Sequence, residues 1–363
     1  MFKKSKMLAT MLGLCLMACP ALAEAPINDK LPDPDGRPAD MTKPVQVFIL
    51  MGQSNMLEFG KVKGGKDGNL DYAVQQEDLY PFLVDDSGAW TTRQDVRNVA
   101  VMGSGGPGKT QVRYNNWMTV GNKVGVEIGV GHHLGNAIDA PVLILKSAIG
   151  NRGLGWDLLP PGSPSWEVEE KNRKTGEVKT MVYAGYGQSP AKWEKGTEPQ
   201  PIGWQAGLQY DGDVARAKEV LANLDQYYPD AKEYEVAGFI WWQGCKDRGN
   251  PAYFNRYEQH LVALIKALRK DFDAPDAKFV AASLGEDKKG VDNGGGKILE
   301  AIMNVADAKK YPEFKGAVAG VYSHPLNVGG GGSCGHYGGN AKTYMNVGLG
   351  LGEAMAELIK AEK

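Results

Sequence analysis

The residues that could do chemistry stand at the ends of apolar runs. In VFILMGQSNM, Val47 to Met56, a buried-strand pattern runs straight into Gly52-Gln53-Ser54-Asn55. A serine just past a strand end is exposed, and a base that takes its proton makes it a nucleophile. The same tetrapeptide is also ordinary turn chemistry, because Gly, Ser and Asn all favour turns. The base must come from five histidines. His132 and His133 fall in one predicted helix, so at most one faces inward. His260 lies on an amphipathic helix and is expected at the surface, and His324 precedes Pro325 in a loop. His336 lies in GGGGSCGHYGGNAKTY, a glycine-rich loop that could carry an imidazole to a site on another strand. It reads equally as a loop histidine bonded to backbone. Ester cleavage also needs N–H donors for its oxyanion, each contributing about 3 kcal/mol. Gly150 and Asn151 follow PVLILKSAI, and Gln243 and Gly244 follow FIWW. The amides of Gln53, Asn151 and Gln243 add side-chain donors. Glycine and asparagine are also common wherever a strand passes into a loop.

The elements that must position these residues alternate. VQVFIL, PVLILKSA, EVAGFIWWQG and KFVAASLG read as buried strands, with GAVAGVYS as a fifth. VGVEIGVGHHLGNAID, DGDVARAKEVLANLDQYYP, RYEQHLVALIKALRKDF and TYMNVGLGLGEAMAELIK read as helices, the third with Leu261, Leu264, Ile265 and Leu268 on one side. Strands alternating with helices imply an α/β fold with a mostly parallel sheet covered on both faces. Ligands of such sheets sit at the carboxyl ends of the strands. Ser54, Gly150, Gln243 and Glu286 all follow strands directly and would converge there. Residues 58–122 show few clear elements. Residues 156–204 hold Trp156, Trp166, Trp193 and Trp204 among prolines and charges and read as an insertion over the strand ends. Its tryptophans could frame a sugar cleft or simply pack the insertion onto the body. One domain over 24–363 is expected, with insertions and no internal repeat.

Composition narrows the class. The 363 residues are 42% hydrophobic, enough for a full core. Residues 1–23 read as a secretory signal: Lys3, Lys4 and Lys6, a short apolar stretch, then Ala21-Leu22-Ala23 as the cleavage signal. The competing lipoprotein site at Cys19 is poorer because Met17 is unusual there. An exported product, periplasmic or extracellular, is expected. No second long apolar run exists to span a membrane. The formal net charge is −2 and becomes more negative once the leader's lysines are gone. Basic residues form no stripe, which argues against a nucleic-acid partner. Two of the four cysteines leave with the leader. The remaining pair, Cys245 and Cys334, is expected to form a disulfide in an exported protein. No Cys-x-x-Cys or His-x-x-x-His spacing suggests a metal site.

Together GQSNM, SAIGNRGLGWDLLPPGS, WWQGCKD and HYGGNAKTY resemble the SGNH-hydrolase superfamily. More narrowly, they resemble its sialate O-acetylesterase and carbohydrate esterase family 6 branch. The resemblance spans Val45 to Glu357. It implies a flavodoxin-like three-layer α/β/α sandwich and removal of acyl groups, usually acetyl, from sugars without metal or organic cofactor. The partner it implies is an acetylated oligo- or polysaccharide. Residue by residue, Ser54 matches the nucleophile and His336 the base. Gly150 and Asn151 match the oxyanion loop, and Gln243 matches the third block's amide. The triad acid departs from the pattern. Ser333 stands three residues before His336 where the family commonly has Asp, and Cys245 stands where some members have Glu. Asp247, the acid of the third motif, is expected to support His336, with Glu286 and Asp287 in reserve. A Ser-His dyad is the other possibility. In the implied fold the loops of Cys245 and Cys334 meet beside the nucleophile, which reinforces the disulfide. Two alternatives stand beside this reading: a non-catalytic glycan-binding protein on the same scaffold, and a hydrolase of other acyl esters.

Overall fold

The structure is a computed structural model that describes residues 29–361. The expected leader, its cleavage after Ala23 and the Cys19 alternative lie outside the described residues. The chain begins with strand β1 (Val45–Gly52), then β2 (Thr92–Met102) and β3 (Gln111–Thr119). Helix α1 (Glu127–Ala137) leads to β4 (Val142–Ser147). A separate antiparallel three-stranded sheet follows: β5 (Trp166–Lys171), β6 (Val178–Tyr183) and β7 (Lys192–Glu194). Then come α2 (Leu208–Ala222), β8 (Tyr234–Trp242), α3 (Tyr257–Asp271), β9 (Lys278–Ala282), α4 (Gly294–Val305), β10 (Val318–Val321) and α5 (Ala341–Lys360).

Seven strands form the central sheet in the order β10-β9-β8-β1-β4-β2-β3, parallel except for β3. Strand β1 is buried on both faces. Phe48 and Leu50 enter the core under α1 and α5, while Val47, Ile49 and Met51 enter the core under α2, α3 and α4. This is the three-layer α/β/α arrangement, and a strand sandwiched in this way must read as a continuous apolar run. The chain leaves β1 for one half of the sheet and later returns for the other, so β1 sits at the switch point, flanked by β4 and β8. A crevice opens at the carboxyl end of such a strand.

Three expectations change. Residues 58–122 contain two of the seven strands, β2 and β3. Their polar residues conceal them because β3 is an edge with an exposed face. Helix α4 escapes notice because it opens on three glycines, poor helix formers. It starts where it does because the Asn293 side chain accepts from Gly296 N (2.9 Å) and caps it. His260 is buried (4% exposed), not on the surface, with its ring 5.1 Å from Trp166. Trp166 also stacks on Tyr183 and meets Tyr253, so this tryptophan fastens the insertion to α3.

Candidate active site

Ser54 opens a one-turn 3-10 helix, Ser54–Met56, immediately past β1. Gly52 makes the turn possible. Its φ is +148°, and a Cβ on it would lie 2.4 Å from the Trp242 carbonyl oxygen on β8. Ser54 itself is 9% exposed. Gly150, at the end of the loop after β4, comes alongside: a Cβ on it would be 3.5 Å from the Ser54 Cβ. The Ser54 helix also packs against the loop that carries His336. The structure therefore brings Ser54, Gly150 and the His336 loop to one place at the carboxyl edge of the sheet.

Gln243 and Asp247 serve a different purpose from the expected one. Gln243 is fully buried, and its Nε2 is committed to Gln53 Oε1 (3.1 Å), Arg152 O (2.9 Å) and Asp247 Oδ2 (2.5 Å). Its Oε1 accepts from the Tyr257 hydroxyl (2.9 Å), which in turn accepts from Trp241 Nε1 (3.0 Å). No N–H of this amide is left for an oxyanion. The Gly244 N–H is also directed inward, at Gln53 Oε1 (3.5 Å). Asp247, also fully buried, accepts from Leu154 N (2.9 Å) and Gly155 N (2.8 Å) as well as from Gln243. None of its hydrogen bonds reaches His336; they hold the loop of Leu154 and Gly155 and the Gln243 amide. Burial pushes its carboxyl up to about 6, against the pull of these three donors.

Gln53 joins this network from the side of Ser54. Its Oε1 accepts from Gln243 Nε2, Gly244 N and Lys246 N, which fixes the amide's orientation. The Nε2 therefore points away from those donors and has no hydrogen-bond partner among the described residues. Ser54 and Asn55 supply the first two N–H groups of a 3-10 turn, which have no acceptor within that turn. Asn151 stands exposed with φ +59°, a left-handed conformation that Asn tolerates better than most residues.

His336 sits in a loop of left-handed residues, with φ +51° at His336 and +50° at Tyr337. Its ring stacks on Phe59, centroids 3.9 Å apart and planes 7° apart. Burial holds its pKa below the ordinary histidine value. Two ties fasten the loop. Cys334 is bonded to Cys245, bearing out the expected disulfide. Ser333 donates through N (3.0 Å) and Oγ (2.6 Å) to Glu286, which also pairs with Arg248. Asp287 bonds Arg248 Nη2 (2.9 Å). The two reserve acids are thus taken up by the loop and by Arg248. Neither Phe59 nor the Glu286–Ser333 contact carried a sequence signal, since each joins segments far apart in the chain.

A cleft of about 540 Å³ adjoins this edge, with Phe59, Asn98, Arg113, Tyr114, Lys123 and Glu127 in its wall. Its floor is stiffened by Lys146, buried between Glu58 and Glu127 (2.7 Å to the latter). Trp204 lies outside this cleft, under the Arg152 guanidinium (4.9 Å) beside Asn151. Among the described residues no group of three or more His, Cys, Asp or Glu side chains gathers to hold a metal ion. None of the described helices is long and apolar enough to cross a membrane.

A parallel α/β sheet with a serine at its switch point and a histidine loop beside it defines a scaffold suited to acyl transfer. The profile of a family described as carbohydrate esterase, sialic acid-specific acetylesterase, matches residues 165–355, and the chain belongs to that family. It is a carboxylic ester hydrolase acting on carbohydrate, as the resemblance in its motifs implied. Among solved structures it is similar to a protein from Arabidopsis thaliana at 15% identity and TM-score 0.45, covering 86% of this chain and 98% of that one. It is also similar to a carbohydrate acetylesterase from Xanthomonas citri at 14% identity and TM-score 0.49, covering 85% of this chain and 55% of that one. A third is NanS, at 14% identity and TM-score 0.37, with 77% of each chain covered. None of the curated proteins matches the chain in sequence.

Proposed function

We propose that the protein is an exported serine esterase that removes acetyl groups from an O-acetylated glycan. The observation that carries this is the placement of Ser54: at the switch point, past the central strand, beside Gly150 and the His336 loop. In this reading His336 takes the Ser54 hydroxyl proton as Oγ attacks the acetyl carbonyl. The Ser54 N–H, the Gln53 Nε2 and the N–H groups of Gly150 and Asn151 receive the oxyanion. His336 then gives its proton to the departing sugar oxygen, and water, deprotonated by His336, releases acetate. The cleft beside Phe59 receives the sugar. The family description makes an O-acetylated sialoglycan the first substrate to try. Export is supported by the disulfide, a bond that persists in oxidising compartments.

Acetate release from a panel of acetylated glycans tests the reading, with 4-nitrophenyl acetate as a small-ester control. Ser54→Ala should abolish both activities with folding intact. An active variant would overturn the assignment. One observation favours a second reading, a glycan-binding protein without turnover: no carboxylate bonds to His336 among the described residues. Binding of acetylated glycan with no acetate released by the unaltered protein would establish it.

A further inference from the structure

The missing partner of His336 has a physical replacement. The carboxylates around the site are already committed. Asp247 accepts from Leu154, Gly155 and Gln243, and Asp157 accepts from Gly153 N (2.9 Å). Glu286 holds Ser333 and Arg248, and Asp287 holds Arg248. What His336 does have is a flat aromatic surface, the Phe59 ring at 3.9 Å and 7°. Beneath it the backbone is left-handed at three successive residues, His336, Tyr337 and Gly338. Non-glycine residues avoid that region, so the loop needs outside ties to keep it. It has them on both sides of His336: the disulfide at Cys334 and Ser333–Glu286 before it, and Tyr337 after it. The Tyr337 hydroxyl accepts from Gly285 N (3.0 Å), and its ring stacks on Trp242.

We infer that Phe59 is the positioning residue of His336, orienting the imidazole by face-to-face stacking on a loop tethered through Cys334 and Ser333, where related sites use a carboxylate. This rests on the proposed roles of Ser54 and His336. In a triad the acid fixes the ring's orientation and stabilises the imidazolium. Stacking on Phe59 fixes the ring plane. When the proton passes from Ser54 Oγ to the imidazole, the resulting cation lies over an aromatic face, which attracts it. Both effects are weaker than those of a buried carboxylate, and removal of a triad acid slows such reactions without abolishing them.

The test compares Phe59→Leu and Phe59→Tyr, with the disulfide intact, on 4-nitrophenyl acetate and with a fluorophosphonate that labels activated serines. Phe59→Leu keeps apolar bulk and removes the ring. It should lower kcat about ten-fold and slow labelling to the same extent, with KM unchanged within about two-fold. Phe59→Tyr keeps the ring and should restore both rates to near the parent's. Thermal unfolding of the two variants should match the parent's within a few degrees. Full activity of Phe59→Leu overturns the inference. So does an equal loss in both variants, which marks a packing role. Ser54→Ala separates this from the parent reading: if it still hydrolyses the ester, the assignment of Ser54 has failed, whatever Phe59 does.

Discussion

Two loops meet beside Ser54 and are held in opposite ways. The loop from Gln243 to Asp247 buries Gln243, Gly244 and Asp247 and is joined by hydrogen bonds to Gln53, Arg152, Leu154, Gly155 and Tyr257. The loop from Ser333 to Gly339 is half exposed, left-handed and glycine-rich, and hangs from a disulfide, one carboxylate contact and two ring stacks. The first is tied through Gln243, Gly244 N, Lys246 N and Asp247 into one hydrogen-bonded network, which resists movement. The second carries His336, the proposed base, and is tied at a few points near that side chain. In the proposed reading the frame of the oxyanion site is a network, and the base is a fixture attached to it.

Three experiments break or sharpen this contrast, in descending order of effect. Asp247→Ala removes the acceptor for two buried backbone N–H groups, those of Leu154 and Gly155, while the Gln243 amide keeps Gln53 and Arg152. At about 1–3 kcal/mol for each group left unpaired, it should cost up to about 6 kcal/mol of stability. Urea unfolding measures the loss, and a near-neutral result would show that the network is not the frame. Joint replacement of Cys245 and Cys334 by serine opens a link between residues 89 apart. The chain-entropy estimate for such a link is about 4 kcal/mol. Here kcat should fall while KM holds, because the bond ties the His336 loop to a frame that its own hydrogen bonds still hold. A rise in KM alone would contradict the contrast. The smallest effect is on pH. Burial disfavours the charged imidazolium of His336, so the base stays deprotonated at lower pH than a free histidine. The acid limb of kcat/KM should therefore have its midpoint below 6.5, the ordinary value. A midpoint above 6.5 would indicate a carboxylate partner after all, since a nearby negative charge raises a histidine pKa.

The parts legible in the sequence are those whose physics is local. β1, β4 and β8 are buried on both faces and could only be written as apolar runs. The Cys245–Cys334 pair followed from the count in an exported chain and from loops that the resemblance brought together. Strand β2 was hidden because Arg97 and Asn98 interrupt it. Arg97 is accommodated by the Tyr227 carbonyl (2.8 Å) and by Asn115 on β3, partners that no local pattern reveals. Asp247 was recognisable as an acid in the right motif. Its role was not, because Leu154 and Gly155, about ninety residues upstream, decide what its oxygens bond. Phe59 was invisible for the same reason: a single aromatic residue in a loop gives no hint that an imidazole will lie on it.

The contact between Gly52 and Trp242 has a consequence for how this site can vary. The strand before Ser54 and the strand before the Gln243 loop touch backbone to backbone at that point, with no room for a methyl group. Any side chain at position 52 would act as a wedge at the mouth of the sheet. It would push apart the two strand ends on which the serine and the network are mounted. At this position there is no latitude in size. Substrate preference can therefore drift through the cleft walls while the spacing of the chemistry is held by an atom that is missing.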